Sequence, residues 1–98
     1  MAIYEKRTYD IGPANISQLV KLYRSDGWPA IEAGGFDANL LGYFISDTGT
    51  LHQLVHLWRF DDDAARRDFW KRLFKDEGFT AFAVKIRPLI EKQDVQLL

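Results

Sequence analysis

The sequence predicts a single α+β domain in which four strands and two helical regions alternate in the order β-α-β-β-α-β. Three observations carry this. Four runs rich in β-branched and aromatic residues sit at the two ends and the middle of the chain, and two stretches with helical apolar spacing separate them. Turn residues fall between these segments at Gly12-Pro13, Gly34-Gly35 and Asp47–Thr50. The length, 98 residues, suits one core and one domain, residues 1–98, with no repeat or linker.

Ala2–Asp10 (AIYEKRTYD) reads as a strand closed by the Gly12-Pro13 turn. Ile16, Leu19, Val20 and Tyr23 then form one apolar helical face, with Pro13 near the helix start, where its missing N–H costs little. Trp28-Pro29 disfavours unbroken helix, so an irregular or helical extension is expected through Glu32. Asn39–Ser46 and Leu51–Phe60 read as two strands joined at Asp47–Thr50, where Gly49 is free to take positive φ. Asp61, Asp62 and Asp63 supply a helix cap and acidic first turn. Ala65, Phe69, Trp70, Leu73 and Phe74 make the next helix's apolar stripe. After a break near Gly78, Phe79, Phe82, Ala83 and Ile86 continue as helix to Pro88, and Leu89–Leu98 reads as the last strand. This order is the ferredoxin-like split βαβ arrangement, with a four-stranded antiparallel sheet.

Charge and composition narrow the function classes. A net charge of −1 gives no basic footprint for nucleic acid. Arg66-Arg67 and Lys71-Arg72, interleaved with Asp68 and Asp76, read as a solvated helix face. Without cysteine there is no disulfide framework, thiol catalysis or thiolate metal site, which suits a reducing compartment. No window approaches membrane-spanning length, and Met1 runs directly into strand-like sequence, so the expectation is a cytoplasmic protein with no membrane partner.

The strands are apolar on both sides. Leu51, Val55 and Leu57 oppose Leu54, His56, Trp58 and Phe60, while Leu41, Tyr43 and Ile45 oppose Leu40 and Phe44. Helices cover one face only. Exposing several hundred Å² of apolar surface on the other would forfeit on the order of 10 kcal/mol. A second copy packed sheet to sheet is the simplest cover, so a homodimer is expected. The polar last strand (Glu91, Lys92, Gln93, Asp94, Gln96) suits a sheet edge.

Four fragments then carry a family likeness: Ile3-Tyr4-Glu5-Lys6-Arg7-Thr8-Tyr9, Gly42-Tyr43-Phe44, Gln53–Trp58 (QLVHLW) and Ile86-Arg87-Pro88-Leu89. In this order and spacing the chain resembles NIPSNAP-family domains. The resemblance implies a dimeric α+β barrel with two sheets face to face. Families with similar barrels include small cofactor-independent monooxygenases, haem-degrading monooxygenases and lactone isomerases, and fold likeness does not choose among them.

Glu5, Arg7 and Tyr9 are two residues apart, so in a strand they share a face at roughly 7 Å intervals. They read as a pocket wall, with Glu5 as a base and Arg7 and Tyr9 binding an anionic or carbonyl group. The competing reading is a structural Glu–Arg network that fixes sheet register or the dimer. His56 is a candidate acid/base group or axial haem ligand, against a structural histidine bonded across the sheet. Trp58 is a stacking surface for an aromatic ligand, or a core anchor. His52 and His56 lie about 13 Å apart along a strand, too far to share a metal, so no metal site is expected. Trp70 and Trp28 read as helix stripe and helix-end plug, and Arg87 as a pocket-mouth residue or helix cap. The sequence therefore predicts a dimer that binds a small organic ligand, with cofactor-free proton transfer or oxygenation as its candidate chemistry. The alternative is a non-catalytic interaction module.

Overall fold

In a computed structural model describing Met1–Leu98, the four strands are β1 (Ile3–Ile11), β2 (Leu40–Ile45), β3 (Gln53–Phe60) and β4 (Ile90–Leu97). They form one antiparallel sheet in the order β2-β3-β1-β4, the ferredoxin-like arrangement expected from the sequence. β4 is an edge strand, as its polarity predicts.

The first helical region reaches as far as expected and is more continuous. Helix α1 (Ile16–Leu22) passes through a π-helical turn (Tyr23–Gly27) directly into α2 (Trp28–Ala33). Trp28-Pro29 does not break the path, because Pro29 lies in the first turn of α2, where its missing N–H is not called on. The wider π turn absorbs the change of register. Gly27 is essential there: a Cβ at this position would lie 2.6 Å from the Phe82 ring. The region ends at Gly35, in the left-handed conformation with φ of 73°.

Helix α3 (Asp63–Leu73) is capped by Asp62, whose carboxylate accepts the Ala65 N–H at 2.7 Å. Asp76 caps α4 (Glu77–Ile86) in the same way, accepting from the Phe79 N–H at 2.9 Å. The break therefore precedes Gly78, which sits inside the first turn of α4. No helix is long and apolar enough to cross a membrane.

Register decides which residues meet. Glu5 pairs with Trp58, Arg7 with His56 and Tyr9 with Leu54 across β1 and β3. All six point towards the helices. Trp58, Phe60 and Phe69 are essentially unexposed and form one half of the core with Ile31 and Leu73. Tyr9, Leu19, Leu54, Phe82 and Ile86 form the other, and Phe79 packs against both.

One expected pairing of faces is wrong. The β2–β3 register shifts between Leu40 and Gly42. Leu40 opposite Trp58 and Tyr43 opposite His56 thus share the helix-covered face with Ile45, whereas Phe44, opposite Val55, looks away. The open face carries Tyr4, Phe44, Val55 and Leu57. Phe44 is about half exposed (54%).

Replacing Gly27 by alanine drives a methyl into the Phe82 ring, and overpacking of this kind costs about 1–3 kcal/mol. We expect Gly27→Ala to lower the urea unfolding midpoint, and Phe82→Leu in the same chain to recover part of the loss.

Candidate functional site

The five residues singled out in the sequence, Glu5, Arg7, Tyr9, His56 and Trp58, form one patch on adjacent strands. The patch lies beneath the protein's own helices, not in a space between sheets.

Glu5 has no exposed surface. Its Oε2 accepts from Arg7 Nε at 2.7 Å and its Oε1 from Arg66 Nη1 at 2.9 Å. Arg66 comes from α3 and is also held at 3.0 Å by Asp63. The reading of Arg66 as part of a solvated helix face is thereby corrected: its side chain is only 17% exposed and reaches inward to the sheet. Each Glu5 oxygen is taken, so Glu5 stands as a counter-ion between two guanidiniums rather than as an open base. With Asp63 and its second partner Arg67 included, two carboxylates face three guanidiniums, which leaves positive charge in excess. Arg7 spends its Nε on Glu5 and lays its guanidinium over the Trp70 ring, 3.9 Å from the centroid. The guanidinium also lies beside the Tyr9 hydroxyl, whose pKa it holds down against the effect of burial.

His56 is buried, and its Nδ1 accepts the Trp58 indole N–H at 2.7 Å. Indole only donates, so Nδ1 must carry a lone pair, and the proton of neutral imidazole resides on Nε2. That Nε2 is buried without a protein partner, as is the Trp70 indole nitrogen. Burial first, and then the nearby Arg7 charge, lower the His56 pKa to about 3. His56 is therefore neutral near pH 7 and presents a donor. A haem iron needs a lone pair at the free nitrogen, and this tautomer has none there. The space beside the ring does not fit a macrocycle either.

That space is a chamber of about 40 Å³ between sheet and helices, walled by Arg7, Tyr9, His56, Trp70 and two further tyrosines, Tyr23 and Tyr43. Burial raises the pKa of all three phenols, and Arg7 partly offsets this for Tyr9. A second hollow of about 190 Å³, between α4 and β4, shares Arg7, Tyr9, Phe74, Phe79 and Ile86 with the chamber and is flanked by Arg87. Neither hollow is lined by a carboxylate. On the other side, Tyr23 and Tyr43 separate the chamber from an open apolar cleft of about 370 Å³. Trp28, read as a helix-end plug, instead lines this cleft.

His52 stands apart from the patch at the head of β3, with φ of 61°. Its carbonyl accepts the Ile11 N–H at 2.9 Å. Trp70, Tyr23, Tyr43 and Arg66 belong to the site but were not singled out for it. Gly42 inside a strand is the one local signal, since such a glycine marks a bulge and hence a change of face for Tyr43.

The NIPSNAP family model matches residues 4–98. NipSnap homolog 3B of Mus musculus is 24% identical over 96 residues, covering 96% of this chain and 37% of its own. NipSnap homolog 2 of Danio rerio is 26% identical, with 98% and 32% covered, so the chain spans about a third of these relatives' length. A NIPSNAP family crystal structure from Agrobacterium tumefaciens superposes with a TM-score of 0.91 at 30% identity, covering 99% of this chain and 83% of that one. A NIPSNAP domain protein from Burkholderia xenovorans gives 0.87 at 32% identity, covering 98% and 91%. An antibiotic biosynthesis monooxygenase shares the fold alone, at a TM-score of 0.65 and 19% identity over 98% of this chain and 95% of that one.

The neutral, buried His56 makes stability depend on acid. Below its ordinary pKa of 6.5 the unfolded chain takes up a proton that the folded chain refuses down to about 3. Stability at His56 is therefore complete above pH 6.5 and falls by up to ~1.4 kcal/mol per pH unit below it. We expect His56→Gln to flatten this slope in urea titrations between pH 6.5 and 4. An NMR titration of the wild type should show no His56 inflection above pH 5.

Proposed function

The chain belongs to the NIPSNAP family, and we propose that it is a dimeric small-molecule-binding protein whose ligand offers an acceptor oxygen to the chamber between sheet and helices. The observation that carries this reading is a convergence of donors: Arg7, His56 and Trp70 line one hollow, and the His56 Nε2–H and Trp70 Nε1–H have no protein partner. Two buried N–H groups without partners each cost about 1–3 kcal/mol, which an acceptor oxygen would recover. The ligand carries that oxygen as a carbonyl or carboxylate, and Tyr9 lies beside it.

Such an array also stabilises negative charge developing on oxygen, as in proton transfer next to a carbonyl or in oxygenation of an enolate. Binding is nevertheless the better-supported half of the proposal. No carboxylate lines the chamber and the His56 lone pair is taken by Trp58, so no protein group stands ready as the base. Glu5 and Trp58 are positioning residues for Arg7 and His56 in this reading.

The dimer forms through the open sheet face, where Tyr4, Phe44, Val55 and Leu57 call for cover. A second copy would lay the same apolar band against it. A cytoplasmic site of action accords with a chain free of cysteine.

Two measurements test these statements. Arg7→Met, shown by circular dichroism to stay folded with Glu5 paired to Arg66 alone, is expected to weaken binding of small carbonyl compounds by about tenfold or more while leaving the sedimentation coefficient of the dimer unchanged. Trp70→Phe, which removes the N–H and shortens the ring but keeps an aromatic face beneath Arg7, is the milder companion and should weaken binding in the same direction. Loss of the dimer in Arg7→Met, with binding undetectable in the wild type, would favour the non-catalytic interaction module. For the open face, the pair Val55→Lys and Leu57→Lys should yield folded monomers by analytical ultracentrifugation. A persistent dimer would place the interface elsewhere.

A further inference from the structure

We infer that the ligand is a small oxo acid, its carboxylate held by Arg87 and Arg7 in the hollow between α4 and β4, and its oxo oxygen in the donor chamber. This rests on the chamber reading above and adds the chemical class of the ligand.

The outer hollow is positively charged. Two arginines line it, Arg7 from β1 and Arg87 from the turn that follows α4, and no carboxylate does. Arg87 forms no ion pair within the chain, and the one carboxylate paired with Arg7, Glu5, is shared with Arg66. Gln93 is the remaining polar side chain on the wall. A site with this inventory favours an anion, and planar guanidinium groups suit a carboxylate in particular.

Geometry then joins the two hollows. They share Arg7 and Tyr9 on the sheet side and Phe74, Phe79 and Ile86 on the helix side. A ligand lying across them has its carbon chain against the aromatic and aliphatic wall. One end remains among the arginines, and the other meets the His56 and Trp70 N–H groups. The inner chamber, about 40 Å³, exceeds the roughly 10–15 Å³ that one water needs and has room for a carbonyl group but not for a ring. The outer hollow, about 190 Å³, lies below the roughly 300 Å³ at which drug-sized ligands begin. Both limits describe a short chain with one carboxylate and one carbonyl.

Calorimetric titration of the intact protein with pyruvate, 2-oxobutanoate and levulinate, each beside its methyl ester and beside butanoate, tests the inference. At least one oxo acid is expected to bind about tenfold or more tightly than its own ester, and more tightly than butanoate. Arg87→Gln should reduce the acid-over-ester preference to less than about threefold, and circular dichroism checks that the variant folds. Trp70→Phe should weaken the oxo acids towards the affinity of butanoate. Esters that bind as well as their acids, with Arg87→Gln without effect, would overturn the oxo-acid assignment and leave the chamber reading standing. Butanoate binding as tightly as the oxo acids would overturn the placement of the oxo group. Absence of binding by every acid and every ester would overturn both.

Discussion

A carboxylate with no access to water must find its counter-charges inside the protein, and at Glu5 this requirement organises the rest of the molecule. Its two oxygens are met from opposite directions, by Arg7 two residues along the same strand and by Arg66 from the first turns of α3. The pair of contacts pins the helix to the sheet at a point where hydrophobic packing alone would tolerate sliding. Removing one partner of such a buried cluster leaves an uncompensated charge worth about 3–5 kcal/mol. The cluster thus behaves as one unit, and the pocket geometry depends on it. Arg7 is aimed across the Trp70 ring because its Nε is committed to Glu5.

A second chain of constraint runs along β3. Trp58 and His56 are two residues apart and share a face, and the indole N–H of one fixes the tautomer of the other. Aromatic packing holds both rings: Trp58 stands against Phe69 and Trp70, and His56 is edge-on to Tyr9 at 4.9 Å. The sequence reading offered a choice between a structural and a functional histidine, and the geometry merges the two. Nδ1 is structural, spent on Trp58, and Nε2 is what remains to act. The same division applies to Arg7, whose Nε is structural and whose guanidinium otherwise faces Tyr9 and the Trp70 ring.

The element order, the helix caps at Asp62, the edge position of β4 and the five-residue patch were legible because they rest on local rules of periodicity and turn chemistry. What was not legible depended on longer-range geometry. The π turn at Tyr23–Gly27 carries the helix through Trp28-Pro29, and it ends at a glycine pressed against the Phe82 ring, 55 positions away in sequence. The bulge at Leu41 shifts the faces of β2, so simple alternation misplaces Leu40 relative to Phe44. Arg66 looks like any helix-surface arginine until the fold brings Glu5 beneath it. Alternation along a strand also states that two faces differ without saying which one the helices cover, and that choice decided whether the polar residues served the pocket or the interface.

Once that choice is made, site and assembly separate by the parity of single strands. On β3, Leu54, His56 and Trp58 belong to the pocket, while Val55 and Leu57 belong to the open face. On β1, Glu5, Arg7 and Tyr9 lie inward, and Tyr4, Lys6 and Thr8 outward. A dimer built on the open face would therefore leave the chamber complete within each protomer, with no residue borrowed across the twofold. Coupling between the two would have to pass through the sheet backbone, whose strands are stiff along their length and whose hydrogen bonds are already made. Both protomers would then bind independently, and cooperativity, were it measured, would place part of the interface at the exposed β4 side of the pocket, where Val95 and Leu97 remain uncovered on the helix-bearing face.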